Sequence, residues 1–231
     1  SGIGAAAATL LVARGARVAV LDRDPSGAPD STLAIAGDVT DTAAVERAVA
    51  RVVDELGGLD VVVANAGIGA VGDVAANDDD EWRRVLDVNV IGVARVVRAA
   101  LPHLRRSSHA AVVTTCSAVA HLGVRERALY AASKGAIEAL TLAMAADHVG
   151  DGIRVNAVSP GTAATPWVER LLAAADDPDA AAAALAARQP LGRLVTADEV
   201  AHAIVHLASP AASATTGTVL RVDGGMTTLR I

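Results

Sequence analysis

Tyr130 and Lys134 stand four residues apart in Leu129-Tyr130-Ala131-Ala132-Ser133-Lys134, at the head of a long helical pattern. On a helix that spacing puts both on one face. A phenol, with an ordinary pKa of about 10, is a poor base at neutral pH, and an ammonium one turn along favours the phenolate. Such a Tyr takes a proton from an alcohol or hands one to a carbonyl oxygen, according to direction. Ser117 ends an earlier apolar run and is placed to hydrogen-bond the same oxygen. A surface Tyr and Lys at helical spacing would read the same way in isolation, so the weight falls on what surrounds them.

Other side chains near this pair could meet a substrate. His121 follows Ser117 by one turn's worth of residues in a loop facing the expected pocket, and Arg127 lies just before Tyr130. Arg188 closes an Ala-rich segment further on. A guanidinium is the natural fork for a carboxylate, so two of them around one pocket point to an acidic substrate, with plain surface arginines as the alternative. His103, His109, His148, His202 and His206 are scattered. The last two are i,i+4 but lack a neighbouring Glu or a third ligand, so no zinc spacing results. Cys116 is the only cysteine, which leaves no intrachain disulfide and no thiolate cluster, and no metal is expected.

The elements that must position these groups have to be built without aromatic bulk. Of 231 residues 52% are hydrophobic, yet there is no Phe and Tyr130 is the only Tyr, so the core must come from Ala, Val, Leu and Ile. A chain of this length without linker or repeat reads as one domain. A net charge of −6 with no basic block argues against a nucleic-acid partner. No apolar run of spanning length and no cleavable leader is visible, so a membrane is not expected and the default compartment is cytoplasmic.

Ser1-Gly2-Ile3-Gly4 opens a helical pattern over Ala5 to Arg14, with Gly15 as its C-cap. A glycine turn opening a helix normally follows a strand, so a first strand and its leading glycine are expected to lie outside this sequence. A true start at Ser1 would leave a doubly wound sheet without a central strand. Arg17 to Leu21 is an apolar run ending at Asp22. Glycine turn, helix, strand and acid in that order read as a dinucleotide site, the acid accepting the adenosine ribose hydroxyls. A carboxylate there repels a 2′-phosphate, so the cofactor reads as NAD rather than NADP, although Arg23 weighs the other way.

A strand over Thr32 to Ala36 leads through Gly37, Asp38 and Val39 to a helix from Ala43 to Glu55. Asp38 either caps that helix or meets the adenine amine. Leu59 to Ala64 is a buried strand followed by Asn65-Ala66-Gly67, small enough for a cofactor to approach the backbone. Glu81 to Leu101 has a helical period with Asn89 inside it. A buried amide there needs partners and could hold a kink or a water leading to Lys134; the alternative is a solvent-facing Asn. Ala110 to Thr114 delivers Thr115, Cys116 and Ser117. The helix of Tyr130 and Lys134 runs to about His148, and a strand over Arg154 to Ala157 closes at Ser159-Pro160-Gly161, as in a βαβ unit. Residues 162–190 break the rhythm with a Thr165-Pro166 helix start, Trp167 and an Ala180 to Ala187 helix. They read as a substrate lid. A helix opened by Thr196 and a strand over Thr218 to Val222 complete the chain.

In order, Gly2-Ile3-Gly4, Asp38, Asn65-Ala66-Gly67, Asn89, Ser117, Tyr130, Lys134 and Pro160-Gly161 resemble the short-chain dehydrogenase/reductase pattern along essentially the whole chain. The resemblance implies an α/β fold, a Rossmann-type doubly wound parallel sheet of about seven strands with helices on both faces. It implies a catalytic tetrad of Asn89, Ser117, Tyr130 and Lys134. It also implies NAD contacts from Gly2, Ile3, Gly4, Asp22, Asp38, Val39, Asn65, Ala66, Gly67, Tyr130 and Lys134, then from Pro160, Gly161, Ala163 and Thr165 around the nicotinamide. Cys116 stands where a second Ser is common and Ala163 where a larger aliphatic is usual. The runs Ser159 to Thr162, Thr165-Pro166 and Arg188 to Arg193 are similar to 3-hydroxybutyrate and sugar-acid dehydrogenases. That implies a small hydroxy acid or sugar acid as substrate, met by Ser117, His121, Arg127, Tyr130, Trp167 and Arg188. Alternatives are an acyl-carrier or cyclic ketone reductase of the same family and a non-catalytic NAD(H)-binding regulatory protein. A homotetramer is also implied.

Overall fold

The computed structural model describes residues 1–230. Helix α1 (Gly2–Ala13) is closed as expected by Gly15, at φ +84 just beyond the capping Arg14. The Gly15 N–H reaches the Val12 carbonyl and the Ala16 N–H the Leu11 carbonyl, a Schellman closure that needs a left-handed residue in the middle. The chain turns there into β1 (Ala19–Asp22), which pairs in parallel with β2 (Leu33–Ala36). Helix α2 (Thr42–Leu56) begins after Asp41, whose carboxylate accepts from Ala43 and Ala44 N–H. Asp38 is therefore not the cap: its carboxylate is held by the Thr40 N–H and hydroxyl instead.

Strands β3 (Val61–Ala64), β4 (Ala111–Thr115), β5 (Arg154–Pro160) and β8 (Val219–Val222) form a second parallel block in that order. Side chains alternate across it, and both faces are covered, which is why the strands read as nearly unbroken Val and Ala. On one face Val62, Val112, Val155 and Ala157 pack with Val97 and Leu104 of α4 (Gly92–Leu104) and Ile137 and Met144 of α5 (Ala128–His148). On the other, Val113 and Val158 pack with Ala7 of α1 and Val200, Ile204 and Leu207 of α8 (Ala197–Ala208). Thr196 and Glu199 cap α8 reciprocally.

The helical pattern of Glu81 to Leu101 is not one helix. It divides into α3 (Asp79–Leu86), a π turn over Asp87–Ile91 and α4, with Asn89 inside the turn. The segment of residues 162–190 holds β6 (Ala163–Ala164), α6 (Pro166–Ala173) and α7 (Pro178–Ala187), and β6 pairs with β7 (Val195–Thr196).

The two sheet blocks are not hydrogen-bonded to each other. β1 and β3 face one another across a cleft of about 800 Å³ lined by Ala8, Leu11, Val18, Val20, Val61 and Val63. Ser1 belongs to the same lining. Among the described residues no helix is long and apolar enough to cross a membrane.

Candidate active site

The strand ends Asp22, Ala64, Thr115 and Pro160 bring the sequence-predicted residues to one edge of the parallel sheet, where loops at carboxyl ends form a crevice. Gly2, Ile3 and Gly4 make the first turn of α1, whose N–H groups have no intrahelical acceptor and suit an anion. The backbone there is closely approached from two sides. A Cβ on Gly4 would come 2.8 Å from Asn65 Nδ2, and one on Gly2, at φ +56, would come 3.4 Å from Thr165 Cγ2. The cleft lining continues to Gly4, Asp22, Asn65 and Ala66, whereas Ser117, Tyr130 and Lys134 stand beyond it, across the turn at Gly67.

Asn89 is the keystone of that turn. Its Oδ1 accepts from the Ile68 N–H at 2.8 Å, and its Nδ2 donates to the Ile68 carbonyl at 2.9 Å and to Ser133 Oγ at 3.0 Å. Ser133 in turn donates to the Tyr130 carbonyl at 2.8 Å. The amide thus satisfies a loop that has no strand or helix to satisfy it, and the π turn is what aims it inward. Of the roles open to Asn89 in the sequence, the kink is the one seen, with the side chain 1% exposed.

Lys134 is buried, and its Nζ donates to the Thr115 carbonyl at 2.8 Å. Burial lowers it from 10.5 to about 8. The ammonium sits 5.8 Å from the centre of the Tyr130 ring, on the same helix face. Here the expected electrostatics are corrected. Burial pushes the Tyr130 phenol above its ordinary value, and what opposes that is first the Ser117 hydroxyl and then the Arg127 charge, while Cys116 adds to the rise. Proximity to the ring does not by itself make the ammonium the dominant influence on the oxygen.

Ser117 follows β4 and accepts from the Val119 N–H at 3.5 Å, so its hydroxyl hydrogen is free for another oxygen. Asp22 is exposed at the end of β1, where one carboxylate oxygen accepts from the Asp24 N–H at 3.1 Å. The Asp38 carboxyl is held below the usual range by the Thr40 backbone and hydroxyl, and Val39 packs against Gly92. Pro160 and Gly161 lead to the buried Ala163 and to Thr165, which caps α6 as expected through the Val168 N–H.

The expected substrate contacts fare less evenly. Trp167 is 46% exposed and lies over the loop at Gly69, where a Cβ would come 2.7 Å from Trp167 Cζ2. Arg127 begins α5 with its Nη1 turned back on the Glu126 carbonyl at 2.7 Å. Arg188 ends α7, exposed. His121 lies beside α5, its Nδ1 3.6 Å from the Glu138 carboxylate.

Three residues of the site were missed in the sequence. Thr115 supplies the carbonyl that holds Lys134 and a hydroxyl that donates to Asn65 Oδ1 at 3.1 Å. Ser133, one residue before Lys134, was legible as a hydroxyl able to bond three residues back along its helix. Gln189 is fully buried, and its Nε2 ties the Thr162 and Arg193 carbonyls together. The Arg188 to Arg193 run marked that stretch without giving Gln189 a role.

Comparison with known proteins agrees with this geometry. Residues 1–227 match a family described as Enoyl-(Acyl carrier protein) reductase. The chain is 42% identical over 243 residues to cis-4-hydroxycyclohexanecarboxylate dehydrogenase of Sinomonas cyclohexanicum, covering 98% of this chain and 93% of that protein. It is 39% identical to the inactive 2-(S)-hydroxypropyl-CoM dehydrogenase 2 of Xanthobacter autotrophicus, covering 94% and 98%. The aldohexose dehydrogenase of Thermoplasma acidophilum, solved in ligand-free form, superposes with a TM-score of 0.94 at 32% identity, covering 99% of this chain and 91% of that one.

Proposed function

The chain belongs to the short-chain dehydrogenase/reductase family of oxidoreductases, and from that premise we propose that it interconverts a secondary alcohol and a ketone with NAD, acting on a small hydroxy acid or sugar acid. The observation that carries the reading is the convergence of Ser117, Tyr130, Lys134 and Asn89 beside a glycine-opened helix at the carboxyl edge of the sheet. A pure nucleotide binder needs no buried ammonium under a half-buried phenol.

The cradle fits a dinucleotide by its own packing. Gly4 and Gly67 are closely approached: a Cβ on Gly4 would force the Asn65 amide to shift, and one on Gly67 would come 3.3 Å from Asn89 Oδ1 and into contact with Lys134 Nζ at 3.5 Å. Free N–H groups at α1 suit the pyrophosphate, and the exposed Asp22 suits the ribose hydroxyls while repelling a 2′-phosphate. NAD, when bound, supplies the hydride acceptor. Tyr130 takes the hydroxyl proton of the alcohol, or returns it to the carbonyl oxygen in reduction. The Ser117 hydroxyl holds that same oxygen. Lys134 keeps a positive charge beside the phenol, and Asn89 fixes the backbone on which both rest. Arg127 or Arg188 meets the carboxylate, a group also present in the hydroxycyclohexanecarboxylate of the Sinomonas relative.

The test is a screen of small hydroxy acids, sugar acids and neutral alcohols with NAD and with NADP, using wild type and Tyr130→Phe. NAD reduction by one carboxylate-bearing alcohol, abolished in the variant, is the expected result. Turnover undiminished in Tyr130→Phe, or NADH binding without turnover of any alcohol, would overturn the reading. Size-exclusion chromatography checks the homotetramer implied by the family.

A further inference from the structure

Beside the Tyr130 and Lys134 helix, three side chains of different elements meet. Cys116 leaves β4 immediately before Ser117, His121 follows the short turn after it, and Glu138 lies one helical turn beyond Lys134. One ligand atom from each falls within 4.8 Å of the others. We infer that Cys116, His121 and Glu138 form a three-ligand site for a zinc-class divalent cation, with a fourth position left for water.

The geometry requires little adjustment. Thiolate, imidazole and carboxylate bind zinc at about 2.0–2.3 Å, so donors around a tetrahedral ion stand roughly 3.3–3.8 Å apart. The His121 Nδ1 and Glu138 Oε2 already stand at 3.6 Å, too far for a hydrogen bond but right for two ligands of one ion. No hydrogen bond holds the His121 ring among the described residues: Nδ1 has only the 3.6 Å approach of Glu138, and the buried Nε2 has no partner, so the ring is free to present a nitrogen to an ion. Cys116 is 2% exposed, and its thiol, whose proton a bound ion would displace, donates to the Lys134 carbonyl at 3.2 Å and lies 3.9 Å from that of Ser117.

The chemistry of the set selects the ion. Thiolate with imidazole disfavours magnesium and calcium, and a thiolate, a carboxylate and a neutral imidazole give a net neutral site with a dication, as a buried position requires. Binding displaces the thiol proton to solvent. The charges that face the sulfur are Lys134, which favours the thiolate, and Glu138, which the cation offsets. A bound ion would tie the strand end that carries Ser117 to the helix that carries Tyr130 and Lys134.

Cobalt(II) titrated into the EDTA-dialysed full chain tests the site, because a thiolate-to-cobalt absorption band can come only from Cys116, the sole cysteine. One equivalent should bring up that band with four-coordinate visible absorption, and zinc should displace it. His121→Ala and Glu138→Gln, which keep the thiol, should each weaken binding by at least about tenfold. Cys116→Ser should abolish the band with an unchanged circular dichroism spectrum, and His202→Ala should leave it intact. No band at one equivalent, or a band of equal affinity in His121→Ala and Glu138→Gln, would overturn the assignment.

Discussion

At the scale of single residues, the consequential finding is that two groups expected to share a charge are each disfavoured in their charged form by burial. Lys134 titrates near 8 instead of 10.5, so between those values the unfolded chain binds more protons than the native one, and stability rises as pH climbs through that window. Below pH 8 the penalty is fully present. Lys134→Met removes it at the loss of one bond to Thr115, and should raise stability at pH 7 by about 1–2 kcal/mol while abolishing turnover. Thermal melts of both proteins at pH 7 and pH 10 check this; a variant less stable than wild type at pH 7 would refute it. The raised Tyr130 has its own signature. Alcohol oxidation needs the phenolate and should climb through alkaline pH, whereas ketone reduction needs the phenol and should stay level from neutral pH upward until the phenol ionises. Asp22→Ala should lower the preference for NAD over NADP by about ten- to a hundredfold in kcat/KM, the worth of a hydrogen bond to a charged group.

At the scale of elements, the π turn between α3 and α4 is the device that organises the site. It is locked by the 2.7 Å pair of Arg95 with Asp87, and Arg95 also reaches the Val39 carbonyl, so the loop after β2 and the Asn89 turn are held by one guanidinium. Replacing Asn89 by Leu strips the Ile68 N–H and carbonyl of their partners in a buried setting. The expected loss is about 2–4 kcal/mol, with activity falling further than stability alone explains because the Gly67 turn beside Lys134 loses its anchor. Chemical denaturation and kcat/KM measured on the same preparation separate the two effects. The 162–190 segment is a contrasting element. Gln189 and Val168 are its buried members, while α7 buries no residue and is therefore the more weakly held part of the segment.

At the scale of the whole molecule, the sheet is two parallel blocks with an apolar cleft between β1 and β3. Both inner edges lack the ladder partners that interior strands have, and such edges are costly in a buried place. A short Val- and Ile-rich strand ending in glycine, joined ahead of Ser1, should enter the cleft and raise the melting temperature by several degrees. An unchanged melt would show that the cleft does not accept a strand. The helices on either face, α1 with α8 and α4 with α5, pack without Phe, so rigidity comes from many small contacts rather than a few large rings.

Most elements were legible in the sequence, as was the shared helix face of Tyr130 and Lys134, because continuous Val runs, glycine turns and the Tyr-Lys spacing are local signals, each set by the backbone within a few residues of itself. Gly15 and Thr165 likewise stand in the roles their neighbours dictate. What needed the third dimension were the matters that depend on who is brought near whom. The break of one helical pattern at Asn89 follows from a loop 21 residues upstream needing its backbone satisfied. The balance at Tyr130 follows from burial that no spacing encodes. The meeting of Cys116 with His121 and Glu138 comes from a strand end laid along a helix, so no ligand spacing along the chain could have announced it.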